Sequence, residues 1–182
     1  DRSTQLGLVA AREAVAHARL IEDGVDKTRV GVIWGSGIGG LETFETEVLG
    51  FANSNGIPRF NPFFIPKMIA DITPGHISME YGFHGPNYTT VSACASSTNA
   101  IIDAKMLIQL GKADVIVCGG SEAAVTASGV GGFNALMALS TRNDSPETAS
   151  RPFPVFTTSR MTLCAQWRTV GLSLIHISEP TR

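Results

Sequence analysis

The chain has 182 residues, of which 43% are hydrophobic and 16% charged, and its formal net charge is −2. That balance belongs to a packed chain rather than a disordered one, and with no long Lys/Arg run it gives no reason to expect nucleic acid or an anionic membrane as a partner. No apolar run approaches the ~20 residues of a membrane helix, and the three cysteines, Cys94, Cys118 and Cys164, make no disulfide framework, so a reducing cytoplasm is expected.

The chain opens at Asp1 without a Met or a signal-like stretch, and reads as an internal piece. Gln5 to Ile21 is Ala-rich, with Leu6, Val9, Val15 and Leu20 spaced as on an amphipathic helix. Val30 to Trp34 is a short apolar run entering a glycine cluster, as expected of a buried strand. Leu41 to Val48 is expected to be helical, and Asn53 to Pro66, rich in Pro, Asn and Gly, to be mostly loop. A helix is centred on Gly75 to Glu80, a strand on Tyr88 to Ala93, and a long helix runs from Ser96 to Leu110. Val115 to Cys118 is a second buried strand, ending at Gly119-Gly120. Gly129 to Phe133 reads as a loop leading into a helix. Strands alternating with helices of this length predict an α/β architecture.

The rhythm stops after Ala149-Ser150-Arg151-Pro152-Phe153. Leu172 to Arg182 looks like the translation of a sequencing adapter, and residues 154–171 read as an out-of-frame continuation. Residues 1–153 are therefore taken as the native segment and residues 154–182 as a non-native tail, which removes Cys164, Trp167 and His176 from any catalytic argument.

Cys94 lies between a strand and a helix start, flanked by Ala93, Ala95, Ser96 and Ser97. A helix amino terminus favours a thiolate and can stabilise an oxyanion when a thioester is attacked, so this turn suits a nucleophile. The bland alternative is a small packed cysteine, which is the reading given to Cys118. Gly35-Ser36-Gly37-Ile38-Gly39-Gly40 fits G-x-G-x-x-G, but the acidic residue a dinucleotide site needs ~20 residues further on is missing. Ser36 is no nucleophile elbow, because Trp34 stands where glycine is required. His76 and His84 are possible bases by type, yet more simply surface or capping residues. No spacing suggests a metal site.

The ordered set Gly35 to Leu41, Asn61-Pro62-Phe63-Phe64-Ile65-Pro66, Ala93-Cys94-Ala95-Ser96, Gly119-Gly120-Ser121-Glu122-Ala123, Gly129 to Phe133, Ala138 to Asn143 and Ala149 to Phe153 resembles the β-ketoacyl-acyl-carrier-protein synthases of the type II elongating class. The resemblance implies a thiolase-like α/β fold, a five-layered αβαβα arrangement of two similar halves, of which this chain carries mostly the amino-terminal one. It implies a homodimer, no metal or redox cofactor, and acyl- and malonyl-acyl-carrier protein as partners. Cys94 would accept an acyl group, and a carbanion formed from the malonyl partner by loss of carbon dioxide would attack that thioester. The residue matching Ile38 would line the acyl pocket, and the one matching Phe64 would close the pocket of the neighbouring subunit. The family's first strand and helix have no counterpart here, nor has the half bearing two histidines, a lysine and a Phe-containing glycine loop. The polypeptide as written is therefore expected to be unable to condense. The alternatives are a thiolase-like enzyme using coenzyme A thioesters, a non-catalytic partner subunit or gene fragment, and an NAD-dependent dehydrogenase.

Overall fold

The computed structural model describes residues 1–21, 24–150 and the backbone of 171–175. The elements in chain order are α1 (Arg2–His17), β1 (Val30–Gly35), α2 (Leu41–Ala52), α3 (Phe64–Met68), α4 (Ile72–Tyr81), β2 (Asn87–Thr90), α5 (Ser96–Gln109), β3 (Val115–Gly120), α6 (Ala127–Ala135) and β4 (Gly171–Ile175). They fall into two compact units, residues 1–124 with 169–182, and residues 125–168.

The first unit is built on a sheet of order β2-β1-β3-β4. β1 and β3 run parallel in register from Val30↔Val115 to Gly35↔Gly120, and every residue of both strands is buried. Apolar residues throughout, rather than an alternating pattern, are what a strand covered on both faces requires. Val30, Val32, Trp34, Val115 and Val117 pack on one face with Ala11 and Val15 of α1 and Ile77 of α4. Ile33, Ile116 and Cys118 pack on the other face with Ala100, Ala104 and Ile108 of α5. The unit is thus helix, sheet, helix: three layers of the αβαβα arrangement.

At the entry to the central strands, the Arg29 guanidinium donates to Asp114 at 2.6 and 2.8 Å and holds its carboxyl below the usual carboxylate range. α4 ends in the left-handed conformation at Gly82, φ 70°, which glycine adopts without Cβ strain. β4 pairs antiparallel with β3, from Gly120↔Gly171 to Ile116↔Ile175. Apart from that strand, the tail assigned to residues 154–182 lies outside the described residues, and so do Cys164, Trp167 and His176.

Some boundaries differ from the sequence expectation for identifiable reasons. The strand expected over Tyr88 to Ala93 stops at Thr90, because its ladder partner ends with Gly35. In α1 the buried stripe is Ser3, Thr4, Gly7, Ala10, Ala11 and Val15, while Leu6 and Val9 are exposed. Close approach decides this: a Cβ on Gly7 would meet Thr73 Cγ2 at 2.6 Å and Ser121 Oγ at 2.8 Å. The loop expected over Asn53 to Pro66 gives way to α3 at Phe64.

In the second unit, the loop expected at Gly129 to Phe133 is the middle of α6. Its glycines cost about 0.5–1 kcal/mol each against alanine, and the Thr126 side chain, accepting from the Gly129 N–H at 3.1 Å, caps the start.

Candidate active site

The carboxyl ends of β1, β2 and β3 converge on one rim of the sheet, and three connections leave it there. The first is the turn that carries Cys94. After Thr90 the chain leaves the ladder, makes one 3₁₀ turn over Ala93–Ala95 and enters α5 at Ser96. Ala93 takes φ 51°, in the left-handed region, where a Cβ carries a steric cost of ~1–2 kcal/mol. Such strain persists only where the surroundings over-determine it, and here they do. The buried Ser96 hydroxyl accepts from the Ser92 N–H at 2.9 Å and donates to the Ala93 carbonyl at 2.7 Å. Thr90 Oγ1 donates to the Ser96 carbonyl at 2.8 Å, and Asn99 Nδ2 to Ser92 Oγ at 2.6 Å. The result is a rigid turn with Cys94 exposed on it. Ala95, the cap residue of α5, has no side-chain cap hydrogen bond. Leading N–H groups of this kind can donate to charge that develops on an attacked carbonyl.

Two glycines let α5 start this close to the sheet. A Cβ on Gly35 would lie 2.5 Å from the Ser96 carbonyl carbon and from the Ser97 nitrogen. A Cβ on Gly120 would collide with Ser97 Oγ.

The second connection is the glycine loop after β1. It encircles a carboxylate of the chain itself. Glu122 accepts from the N–H groups of Gly37 at 2.6 Å, Ile38 at 2.8 Å and Gly39 at 3.1 Å, with Ser36 Oγ at 3.5 Å. Successive N–H groups of this kind form an anion nest. In a dinucleotide site the nest receives phosphate; here Glu122 fills it, which removes the physical basis of the dehydrogenase alternative. The third connection, following β3, delivers that glutamate. Gly35 and Gly120 are register partners, so the residues just beyond them are neighbours. The family resemblance includes the segment Gly119 to Ala123 but assigns Glu122 no role. The available signal was an acidic residue just past one parallel strand, next to a glycine loop just past its neighbour.

Ile38, exposed, sits on this loop at the same rim as Cys94. Its predecessor Gly37 approaches the Cys94 turn, since a Cβ there would be 3.6 Å from the Ala93 carbonyl oxygen. The loop's other side rests on α3: the Gly40 N–H donates to the Met68 carbonyl at 2.8 Å. Phe64, at the start of α3, stacks on Phe60 at 5.4 Å and lies 6.3 Å from Phe44. Phe64 thus belongs to an aromatic group between α2 and α3, linked to the Ile38 loop through the end of its own helix.

Cys118 is 1% exposed and packs in the core, as its sequence position suggested. His84 precedes β2, whereas Cys94 follows it, so a strand's length separates them. His76 is exposed on α4, on the opposite face of the sheet from α5. Tyr88 donates to Asp103 at 3.1 Å, and burial, reinforced by that bond, pushes its hydroxyl up to about 12. Among the described residues no group of His, Cys, Asp and Glu could hold a metal, and no helix is long and apolar enough to cross a membrane.

Residues 1–154 match the family model described as "Beta-ketoacyl synthase, N-terminal domain". A 3-oxoacyl-[acyl-carrier-protein] synthase 2 of Staphylococcus aureus (strain N315) is 48% identical over 153 residues, 84% of this chain and 36% of that protein. The chain thus spans about a third of the length of the curated relatives it matches. Among solved structures, a β-ketoacyl synthase from Burkholderia phymatum STM815 has a TM-score of 0.73 at 30% identity, covering 84% of this chain and 37% of that one. A ketosynthase bound to the hexaketide, in complex with its type II PKS acyl-carrier protein, has a TM-score of 0.70 at 28% identity, over 76% of this chain and 40% of that one.

Proposed function

The chain belongs to the β-ketoacyl synthase family through that family's N-terminal domain, and from this premise we propose that it is the nucleophile-bearing part of an acyltransferase that lengthens fatty acyl chains by decarboxylative condensation. The observation that carries the reading is Cys94: exposed, on a turn strained at Ala93 and pinned by Ser96, at the amino end of α5.

The chemistry runs in two stages. The Cys94 thiolate attacks the carbonyl of an acyl-carrier-protein thioester; the carrier leaves as a thiolate that takes a proton from water, and the acyl group remains on Sγ. Malonyl-acyl-carrier protein then loses carbon dioxide. The electron pair left on its α-carbon forms the new carbon–carbon bond at the acyl carbonyl, and the Cys94 thiolate departs. Two acyl transfers at one sulfur require an exposed nucleophile whose turn does not move between stages, and the Ser96 staple supplies that rigidity. In this reading Ile38 lines the acyl pocket and Phe64 closes the pocket of a second copy in a homodimer. The partners are acyl- and malonyl-acyl-carrier protein, and the setting is the cytoplasm.

We further propose that residues 1–153 are a piece of the enzyme, that residues 154–182 are not native to it, and that decarboxylation needs groups beyond this sequence. The test is incubation of the complete enzyme with acyl-acyl-carrier protein, followed by mass spectrometry of the Cys94 peptide. The expected result is an acyl adduct on Cys94 that Cys94→Ala abolishes. An adduct elsewhere, or none, sinks the assignment. Equal loading from acyl-coenzyme A and acyl-carrier protein would favour the thiolase-like alternative.

A further inference from the structure

We propose that Glu122 is a positioning residue that sets both the geometry of the Cys94 turn and the acyl-chain selectivity of the site; this rests on the function proposed above. Glu122 is half-buried just beyond β3, and its two carboxylate oxygens collect the N–H groups of Gly37, Ile38 and Gly39. No other element supplies an acceptor to these three donors among the hydrogen bonds of the described residues.

The loop so held touches both parts of the site. On one side, the Ser36 carbonyl lies 3.3 Å from the Ser96 hydroxyl, the group that pins Ser92 and Ala93 around Cys94. Gly37 also lies against the Ala93 carbonyl. On the other side, Gly39 and Gly40 meet the carbonyls of Met68 and Lys67, at the end of the helix that Phe64 begins. Ile38 stands between these contacts, its own N–H tied to Glu122 at 2.8 Å. One carboxylate thus fixes the backbone from which Ile38 projects and steadies the turn from which Cys94 projects.

The nest also dictates which side chain can serve. It presents donors only, so its occupant must be an acceptor at both atoms. A glutamine has the same shape, but it turns an amide nitrogen, a donor, toward backbone donors. Glu122→Gln therefore releases the loop without opening a cavity, whereas Glu122→Ala removes both the acceptor and the packing.

The experiment compares wild type, Glu122→Gln and Glu122→Ala in the complete enzyme. Acylation of Cys94 is timed by mass spectrometry with a short and a long saturated acyl-acyl-carrier protein, and the melting temperature of each protein is recorded. Releasing the loop unsettles the Cys94 turn, and a misplacement of up to ~1 Å slows acylation about ten- to a hundredfold. The expected result is that loss in Glu122→Gln, with the long-to-short ratio shifted several-fold and melting close to wild type. Glu122→Ala should lie further in the same direction. If wild type is acylated and Glu122→Gln matches it in rate and ratio, the inference is overturned and the functional reading stands. It is equally overturned if both chain lengths slow in parallel with a loss of folded protein, since the role is then structural. If wild-type Cys94 takes no acyl group at all, the functional reading falls and this inference with it.

Discussion

Cys94 follows β2 and Cys118 lies within β3, and burial separates the candidate nucleophile from the packing atom. Cys94 is exposed, and Cys118 is covered by α5. An opening that costs even ~3 kcal/mol slows labelling more than about a hundredfold. Iodoacetamide should therefore modify Cys94 in the native protein and leave Cys118 untouched until denaturant is added, as read by peptide mapping. Comparable labelling of both would contradict the packing of β3. Ala93 is the other residue with an instructive conformation. Replacing it by glycine removes a left-handed cost of ~1–2 kcal/mol but adds about 0.5–1 kcal/mol of backbone entropy loss. Ala93→Gly should therefore stabilise the fold slightly, by up to ~1.5 kcal/mol, while slowing Cys94 acylation because the turn is no longer held in one shape. A less stable but equally active variant would show that the strain has no part in placing the thiol.

Among the elements, α5 has the most demanding position. Its buried stripe of Ser96, Ala100, Ala104 and Ile108 is narrow at the amino end and wide at the carboxyl end, so the helix start approaches the sheet closely. Gly35 and Gly120 make room for it. In Gly35→Ala the new methyl meets backbone atoms, which cannot rotate away as a side chain can. The substitution should cost at least the ~1–3 kcal/mol of ordinary overpacking, seen as a lower urea midpoint. It should also reduce Cys94 acylation, because the displaced turn is the one that carries the thiol. An unchanged midpoint would mean that α5 does not start against β1 as described. α1 shows the same logic without a site: Gly7, Ala10 and Ala11 are buried, and at Gly7 the side chains of Trp34, Ser121 and Thr73 leave no room for a Cβ. The apolar spacing of Leu6 and Val9 therefore predicted a helix correctly but not the face it buries.

At the scale of the whole molecule, the first unit leaves many large apolar side chains exposed, among them Leu6, Val9, Phe44, Leu49, Phe63, Ile65, Val91 and Leu110. In the complete enzyme proposed above, the part outside these residues is expected to cover some of them, since the chain spans about a third of its relatives' length. The isolated 182-residue chain should bind a hydrophobic dye strongly and give no condensation product from acyl- and malonyl-acyl-carrier protein, whereas the complete enzyme should bind little dye and turn over. Turnover by the isolated chain would refute the view that decarboxylation needs groups outside this sequence.

Much of this was legible in the sequence. The buried runs at Val30 and Val115 mark strands covered on both faces, the Ala-rich stretches mark helices, and the small residues around Cys94 mark a turn that a substrate can approach. These are local properties, set by side-chain period and backbone freedom within a few residues. Contacts between residues far apart in the chain were not legible. Glu122 reaches a glycine loop more than eighty positions earlier, since its bond to the Gly39 N–H spans 83. Gly35 and Gly120 yield to a helix that belongs to neither strand, and α6 forms through glycines that suggest a loop. Local pattern was enough to place the two central strands and the helices α1, α2 and α5, and to single out Cys94 as the candidate nucleophile. That the parallel register brings three strand ends to one rim follows from the folded chain alone, because burial and hydrogen bonding between distant segments depend on where the whole chain goes.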